Sequence, residues 1–421
     1  MARKKNRIGF ISSRFSGNDG VSLETRKWVN VLSGLGQSCF FFAGESDWPA
    51  DRSYVVPEAH INHPDIRSLT SELFDDYRRK PETSLAIEKL SDHLKAHLHS
   101  FLKQFEPQIL IVENALSLPM NIPLGRAITE LIAEEAIPVI AHHHDFTWER
   151  ERFAVGAADD YLRAAFPPTL PSIHHVVINT NAQRQLSLST GVSSTVIPNV
   201  MDFEVEPAPP GTYADDMRAE LGIRPDEYLL LQPTRIVPRK RIEQSIELAR
   251  RLELNCALVI SHESGDEGHE YEIYLRRYAE IMGVRVLFAS HRFRLDRGQQ
   301  DGLKLYSLAD AYHQASLVTY PSRIEGFGNA FLEAVYYRRP LLMSNYVIFS
   351  TDIQPKGFQF ITFTDYIDEG CVERARQILE NPEQSRQMVD NNYELGRRYF
   401  SYSILEKHLE TLLLEIQGLG G

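Results

Sequence analysis

Two α/β domains, each formed on a parallel sheet with helices on both faces, are predicted by this sequence, and three observations predict them. The chain has 421 residues, too many for one ordinary hydrophobic core. Both halves carry short apolar runs rich in β-branched and aromatic residues, alternating with helical or loop segments, which is the pattern of strands buried on both faces. Between the halves, Glu204–Gly211 is rich in proline and has no periodicity, the composition of an interdomain linker. The expected division is 1–205 and 206–401, two Rossmann-like domains.

Taken in order, strands are expected in the first half at Arg7–Ile11, Phe40–Ala43, Ile109–Val112, Pro138–His142, Val176–Asn179 and Thr195–Ile197. Ser68–Gln104 has few strand formers and many charges, and reads as one or two helices over the first domain. The second half offers strands at Tyr228–Gln232, Ala257–Ser261, Arg285–Ala289, Leu317–Tyr320, Pro340–Met343 and Phe358–Thr362. In the tail, Ile404, Leu405, Leu409, Leu412, Leu413 and Ile416 form a helical stripe behind a serine cap.

Composition narrows the function classes. Hydrophobic residues at 43% and charged residues at 24% describe a globular chain. The basic start Met1–Arg7 precedes an apolar run of only Ile8–Ile11, too short for a secretory leader, and no stretch approaches the ~18 apolar residues that span a bilayer. Cys39, Cys256 and Cys371 are odd in number and far apart, so a reducing cytoplasm without disulfides is expected. A net charge of -12 argues against a nucleic-acid partner, yet leaves room for a local basic cluster.

The most informative stretch is Arg323–Ala334, in which Glu325 stands before the turn Gly326-Phe327-Gly328-Asn329 and Glu333 lies inside the following helix. Preceded by the apolar run Leu317–Tyr320, it reads as strand, loop, helix, and ligands of such units bind beyond the carboxyl ends of the strands. The glycines let a ligand approach the backbone, and the free N–H groups opening the helix favour phosphate or hydroxyl. Glu333 lies about one turn from Asn329 on the same helical face, and a carboxylate can accept from two adjacent sugar hydroxyls. Read alone, the turn is equally a surface loop with a solvated Glu325. The spacing of Glu325 and Glu333 with the intervening Gly-Phe-Gly, however, resembles the E-x7-E signature of the family 4 retaining glycosyltransferases. That resemblance implies the two-domain GT-B fold, with a last helix crossing back onto the first domain.

Upstream, Pro233–Arg241 places four cations within seven residues at a strand's end, where arginine offers a planar fork and lysine a point charge to a diphosphate. It resembles the family's Arg-x4-Lys element at Arg235 and Lys240, which implies that these two hold the donor phosphates; Arg239 and Arg241 read as surface charge. In the first domain, Phe15–Ser22 is a loop before a helix, and the resemblance gives Gly20 a donor-side role although Asn18-Asp19 replaces the usual second glycine. His142-His143-His144-Asp145 follows another strand. Alternation sends neighbouring histidines to opposite sides, so one metal site for all three is disfavoured, and strand-edge histidines bonded to backbone are the plain alternative. By resemblance His144-Asp145 matches the family's histidine close to the reacting sugar. Pro198-Asn199-Val200-Met201-Asp202 resembles a family turn and reads as structural, while Asn345–Phe349 stands where many members have a glycine-rich loop.

The function so implied is retaining transfer of a hexose of glucose or mannose type from a UDP- or GDP-sugar to a hydroxyl. Glu325 would orient the hexose, Glu333 the ribose, and Gly326, Phe327, Gly328 and Asn329 would complete the cradle. No metal or other cofactor is expected. The rivals are a nucleotide-sugar epimerase of the same fold and a non-catalytic sugar-nucleotide binder. Between Ser68 and Gln104, acids such as Glu72, Asp75 and Asp76 interleave with Arg78, Arg79 and Lys80, so no basic membrane face forms. With Arg14, Arg150 and Arg152 near the three histidines, a soluble polar or anionic acceptor is favoured over a lipid.

Overall fold

The structure, a computed structural model, describes residues 5–17, 19–74, 76–264 and 269–419, so the chain's first four residues, Asn18 and Asp75 lie outside the described residues. The chain forms two compact units, 1–199 together with 402–421, and Val200–Ser401. The division falls ahead of the proline-rich stretch, which belongs to the second unit.

In the first unit the strands are β1 (Arg7–Ile11), β2 (Ser38–Ala43), β3 (Ser53–Val55), β4 (Ile109–Glu113), β5 (Val139–His143), β6 (Ile173–Val177) and β7 (Ser194–Val196). They pair in the order β3-β2-β1-β4-β5-β6-β7, every neighbour parallel. The order reverses between β1 and β4, the place where ligands of doubly wound sheets bind. Both β4 and β5 are wholly buried, which explains their continuous apolar runs. The charged stretch after Ser68 lies in two helices, Pro64–Leu73 and Pro81–Phe105, each opened by a proline whose missing N–H costs nothing there. The longer one buries Ile87, Leu94, Leu98, Phe101 and Phe105 along one stripe and packs on the helix Ile122–Glu135. Each such side chain contributes about 1.5–3 kcal/mol of transfer free energy. The terminal helix Tyr402–Leu419 belongs to this unit and lies against the helix Gly20–Gly34, burying Leu405, Leu409, Leu412, Leu413 and Ile416.

The second unit contains β8 (Tyr228–Gln232), β9 (Cys256–Ile260), β10 (Val286–Phe288), β11 (Phe293–Arg294), β12 (Gly298–Gln300), β13 (Leu303–Ser307), β14 (Leu317–Tyr320), β15 (Leu341–Ser344) and β16 (Ile361–Phe363). Six of them form a parallel sheet in the order β10-β9-β8-β14-β15-β16, again reversing beside the first strand, between β8 and β14. The other three make a small sheet, β11-β13-β12, that the apolar pattern did not predict. Its antiparallel pair, β12 with β13, turns on Asp301-Gly302, both with positive φ (52° and 77°), the requirement of a two-residue hairpin. No helix among the described residues is long and apolar enough to cross a membrane.

Candidate active site

The reversal in the second unit brings the loops after β8 and β14 together. After β14, the chain turns at Gly328, which caps the helix Asn329–Tyr336 at φ 120°. A Cβ there would lie 2.9 Å from the Tyr346 hydroxyl and 3.3 Å from that of Tyr320, so both backbone and space require glycine. The Tyr346 hydroxyl donates to the Phe327 carbonyl at 2.7 Å. Phe327 is buried edge-on against Phe400, ring centroids 5.2 Å apart. Its side chain therefore anchors the turn, and only its backbone can serve a ligand. Gly326 and Asn329 are half-buried on either side.

After β8, the turn Pro238–Lys240 is followed by Arg241 in the left-handed region, φ 50°, and then by the helix Ile242–Arg251. Lys240 Nζ donates to Glu325 Oε1, with 9% and 10% of the two side chains exposed. Arg239 lies 3.7 Å from the other oxygen of Glu325. The sequence reading of Arg239 as surface charge is thus corrected: the short turn swings it onto Glu325, whereas Arg241 donates to the Asp365 carbonyl and covers Tyr366. Burial alone would raise the Glu325 carboxyl, but the charges of Lys240 and Arg239 outweigh it and hold it below the usual range. Burial pulls Lys240 down, helped by the charges of Arg239 and Arg235 and opposed by Glu325. Arg235 is exposed at the mouth of this group.

Two features here escaped the sequence. His262, just past β9, is held neutral, lowered to about 4 by burial and by the charges of Lys240 and Arg235. Tyr320 lays its ring 5.2 Å from Lys240 Nζ. The signal for His262 was its place beyond a strand adjoining β8, where the ligand crevice is expected. Glu333, one turn into its helix, accepts a hydrogen bond from the Tyr312 hydroxyl at 2.8 Å.

Gly20 and His144 belong to the first unit. Gly20 is the exposed first residue of its helix, but the helix start is already capped: Asp19 accepts from the amides of Val21 (3.1 Å) and Ser22 (3.2 Å) and pairs with Arg14 at 3.1 Å. A carboxylate thus occupies amides that an incoming phosphate would need. Arg150 likewise pairs with Asp145, at 2.7 Å, and Arg152 stands over the Phe153 ring at 4.7 Å.

The histidines alternate as expected, yet their partners are side chains and not the backbone of a strand edge. Glu113 ends β4 directly opposite His142 on β5. One of its oxygens, Oε2, lies 2.9 Å from His142 Nδ1 and 3.1 Å from His144 Nε2. On the other face His143 Nε2 lies 2.9 Å from His175 Nδ1. Asn114 fixes the loop by accepting from the amides of His144 and Asp145. Burial lowers both His142 and His143; for His144 burial also pulls down, but the bond to Glu113 together with the charges of Glu113, Glu24 and Asp145 raises it. Glu113, which burial would raise, is brought down to about 2 by the two imidazoles.

Set beside known proteins, residues 214–395 match the family described as Glycosyl transferases group 1. Mannosylglucosylglycerate synthase of Thermotoga maritima is 32% identical over 97% of this chain and 100% of its own length. The enzyme of the same name from Petrotoga mobilis is 29% identical over 95% of this chain and 99% of its own. Sucrose-phosphate synthase from Thermosynechococcus elongatus, 17% identical, superposes with a TM-score of 0.68 over 99% of this chain and all of its own, a likeness of fold. With the E-x7-E spacing and the two reversed parallel sheets, these matches establish that the chain belongs to the group 1 glycosyl transferases and has the GT-B fold.

Proposed function

We propose that this glycosyltransferase moves a mannose-type hexose, with retention, from a nucleotide diphosphate sugar to a hydroxyl of a small anionic acceptor such as a glucosylglycerate. The observation that carries the donor half is the group Arg235, Arg239, Lys240 and Glu325 beside the turn at Gly326–Asn329. A nucleoside diphosphate leaves as a stable anion when positive charge meets it, so the cations stabilise the charge that develops as the sugar–oxygen bond breaks. Glu325 accepts from hexose hydroxyls and Glu333 from the ribose. The acceptor oxygen bonds to the anomeric carbon on the face that the diphosphate leaves, and its proton passes to a donor phosphate oxygen. No protein nucleophile and no metal takes part, and the cytoplasm, rich in such donors, is the compartment proposed. The two relatives whose names contain mannosyl, glucosyl and glycerate support the acceptor class. For His144 a role near the reacting sugar is proposed, and for Gly20 a donor-side role.

The test is nucleoside diphosphate release from GDP-mannose and UDP-glucose, with and without glucosylglycerate, in EDTA, with the product's anomeric configuration read by NMR. Acceptor-dependent release with an α-linked product from the α-linked donor is expected. Sugar-nucleotide isomerisation without an acceptor would establish an epimerase instead, and binding without turnover a sensor.

A further inference from the structure

Within the first unit, Glu113, His142 and His144 offer one ligand atom each, all within 4.8 Å of one another. We propose that they form a binding site for a borderline-soft divalent ion of the zinc class. The separations of 2.9 and 3.1 Å between Glu113 Oε2 and the two ring nitrogens are close to the roughly 3.3 Å edge of a tetrahedron with zinc-to-ligand bonds near 2.0–2.1 Å. Two imidazoles and a carboxylate leave a fourth position for water, and imidazole selects zinc, copper or nickel over magnesium, which wants oxygen.

A second observation points the same way. Glu113 is completely buried, and its other oxygen, Oε1, has no hydrogen-bond partner among the described residues. A buried carboxylate oxygen without a donor is costly, and a cation held at Oε2 would offset that cost through its charge. The ring of His142 is held in plane by stacking on Trp28, centroids 4.2 Å apart. Glu24, itself fully buried and paired with Lys27 at 2.9 Å, adds negative potential at both imidazoles. A pre-oriented, net-negative pocket on two rigid strand ends suits a cation better than it suits bare hydrogen bonding.

No step of the transfer proposed above uses this ion. Loading would draw His144 Nε2 into coordination, so a fall in turnover on loading rests on the proposed role of His144, whereas binding itself does not.

The full-length protein, stripped with EDTA and dialysed, is titrated with Zn²⁺ against a chromogenic chelator. Binding at micromolar or lower zinc is expected, with one equivalent lost in Glu113→Gln and in His142→Gln but retained in His93→Gln, which removes a more exposed imidazole 3.5 Å from Glu58. Loss only in His93→Gln, or no binding, overturns the proposal. Should the buried variants melt early, the Co²⁺-loaded native protein decides: an intense tetrahedral visible spectrum supports the site, and a weak octahedral one overturns it. Unchanged turnover in the zinc-loaded protein would leave the site standing and remove His144 from the reaction.

Discussion

Each unit buries one carboxylate among cationic groups where its sheet order reverses, and the two solutions differ. Glu325 in the second unit faces the ammonium of Lys240 and the guanidinium of Arg239. Glu113 in the first faces His142 and His144, whose protonation is divided, one lowered and one raised. The same burial thus gives a pair of fixed charge in one place and a conditional charge in the other. A lysine and an arginine would suit the proposed meeting with a diphosphate, and imidazoles the proposed exchange of protons or metal ions.

Removing the fixed pair is expected to have the largest effect. Glu325→Gln should lower kcat/KM about 100-fold or more, since charge-assisted hydrogen bonds contribute about 1.5–3 kcal/mol each. It also strands a buried Lys240, so urea unfolding should show a loss of about 3–5 kcal/mol that Lys240→Met in the same chain partly restores. Near-native turnover, or strictly additive stabilities, would break the comparison.

The conditional side is sharpened by pH. His175, buried on β6, is lowered by burial to about 4, and burial lowers His143 beside it. Between pH 7 and 5 the unfolded chain takes up protons that the folded one refuses, so stability is full above about pH 6.5 and declines as pH falls toward 4. His175 alone should account for about 2 kcal/mol over that interval, read as a shift in urea midpoint that His175→Asn flattens. His144, raised, opposes this: its contribution is present below pH 6.5 and is lost as pH rises through its folded value. Glu113 adds acid sensitivity only below about 4.5, complete near 2.

Gly328→Ala should cost about 1–3 kcal/mol of stability, from φ 120° and the contact with Tyr346, and weaken donor binding measured by calorimetry. Arg239→Ala should weaken nucleoside diphosphate binding roughly tenfold, about 1.4 kcal/mol, as for a partly buried charge-assisted contact, while Arg241→Ala leaves it unchanged. Equal effects would return Arg239 to the surface. Smallest, Asp19→Ala should remove about 1 kcal/mol of helix capping, read by urea unfolding, and unchanged donor affinity in that variant would count against the proposed role of the Gly20 turn.

The difference between the regions also explains what the sequence revealed. Apart from the short, half-exposed β3, the strands of the two large sheets were legible as apolar runs, because strands buried on two faces cannot hide in an amphipathic pattern. The Glu325–Glu333 spacing was legible because both residues sit on one loop and helix. Arg239 was not, since its direction depends on a turn of three residues. Glu113 was invisible as a partner of His142 until β4 was known to lie beside β5, and the same holds for His175 beside His143. The hairpin at Asp301-Gly302 had its turn in plain sight, but Gln299, Gln300 and Lys304 supply no apolar alternation, and Tyr213 donates to both of its strands, at Gly298 and Leu305. Non-local pairing, more than local propensity, set the boundary of what could be read.

The bond between Lys240 and Glu325 also sets an entry condition for ligands. A lone anion, such as inorganic phosphate, gains Lys240 only by leaving Glu325 with a buried charge and a weakened partner, so simple anions compete poorly. A sugar diphosphate brings hydroxyls for the carboxylate together with phosphate for the lysine, and satisfies both ends of the broken pair at once. On the proposed donor role, the pair would work as a two-key lock, selecting for molecules that carry both chemistries in one piece and letting the spent diphosphate go once the sugar has been parted from it.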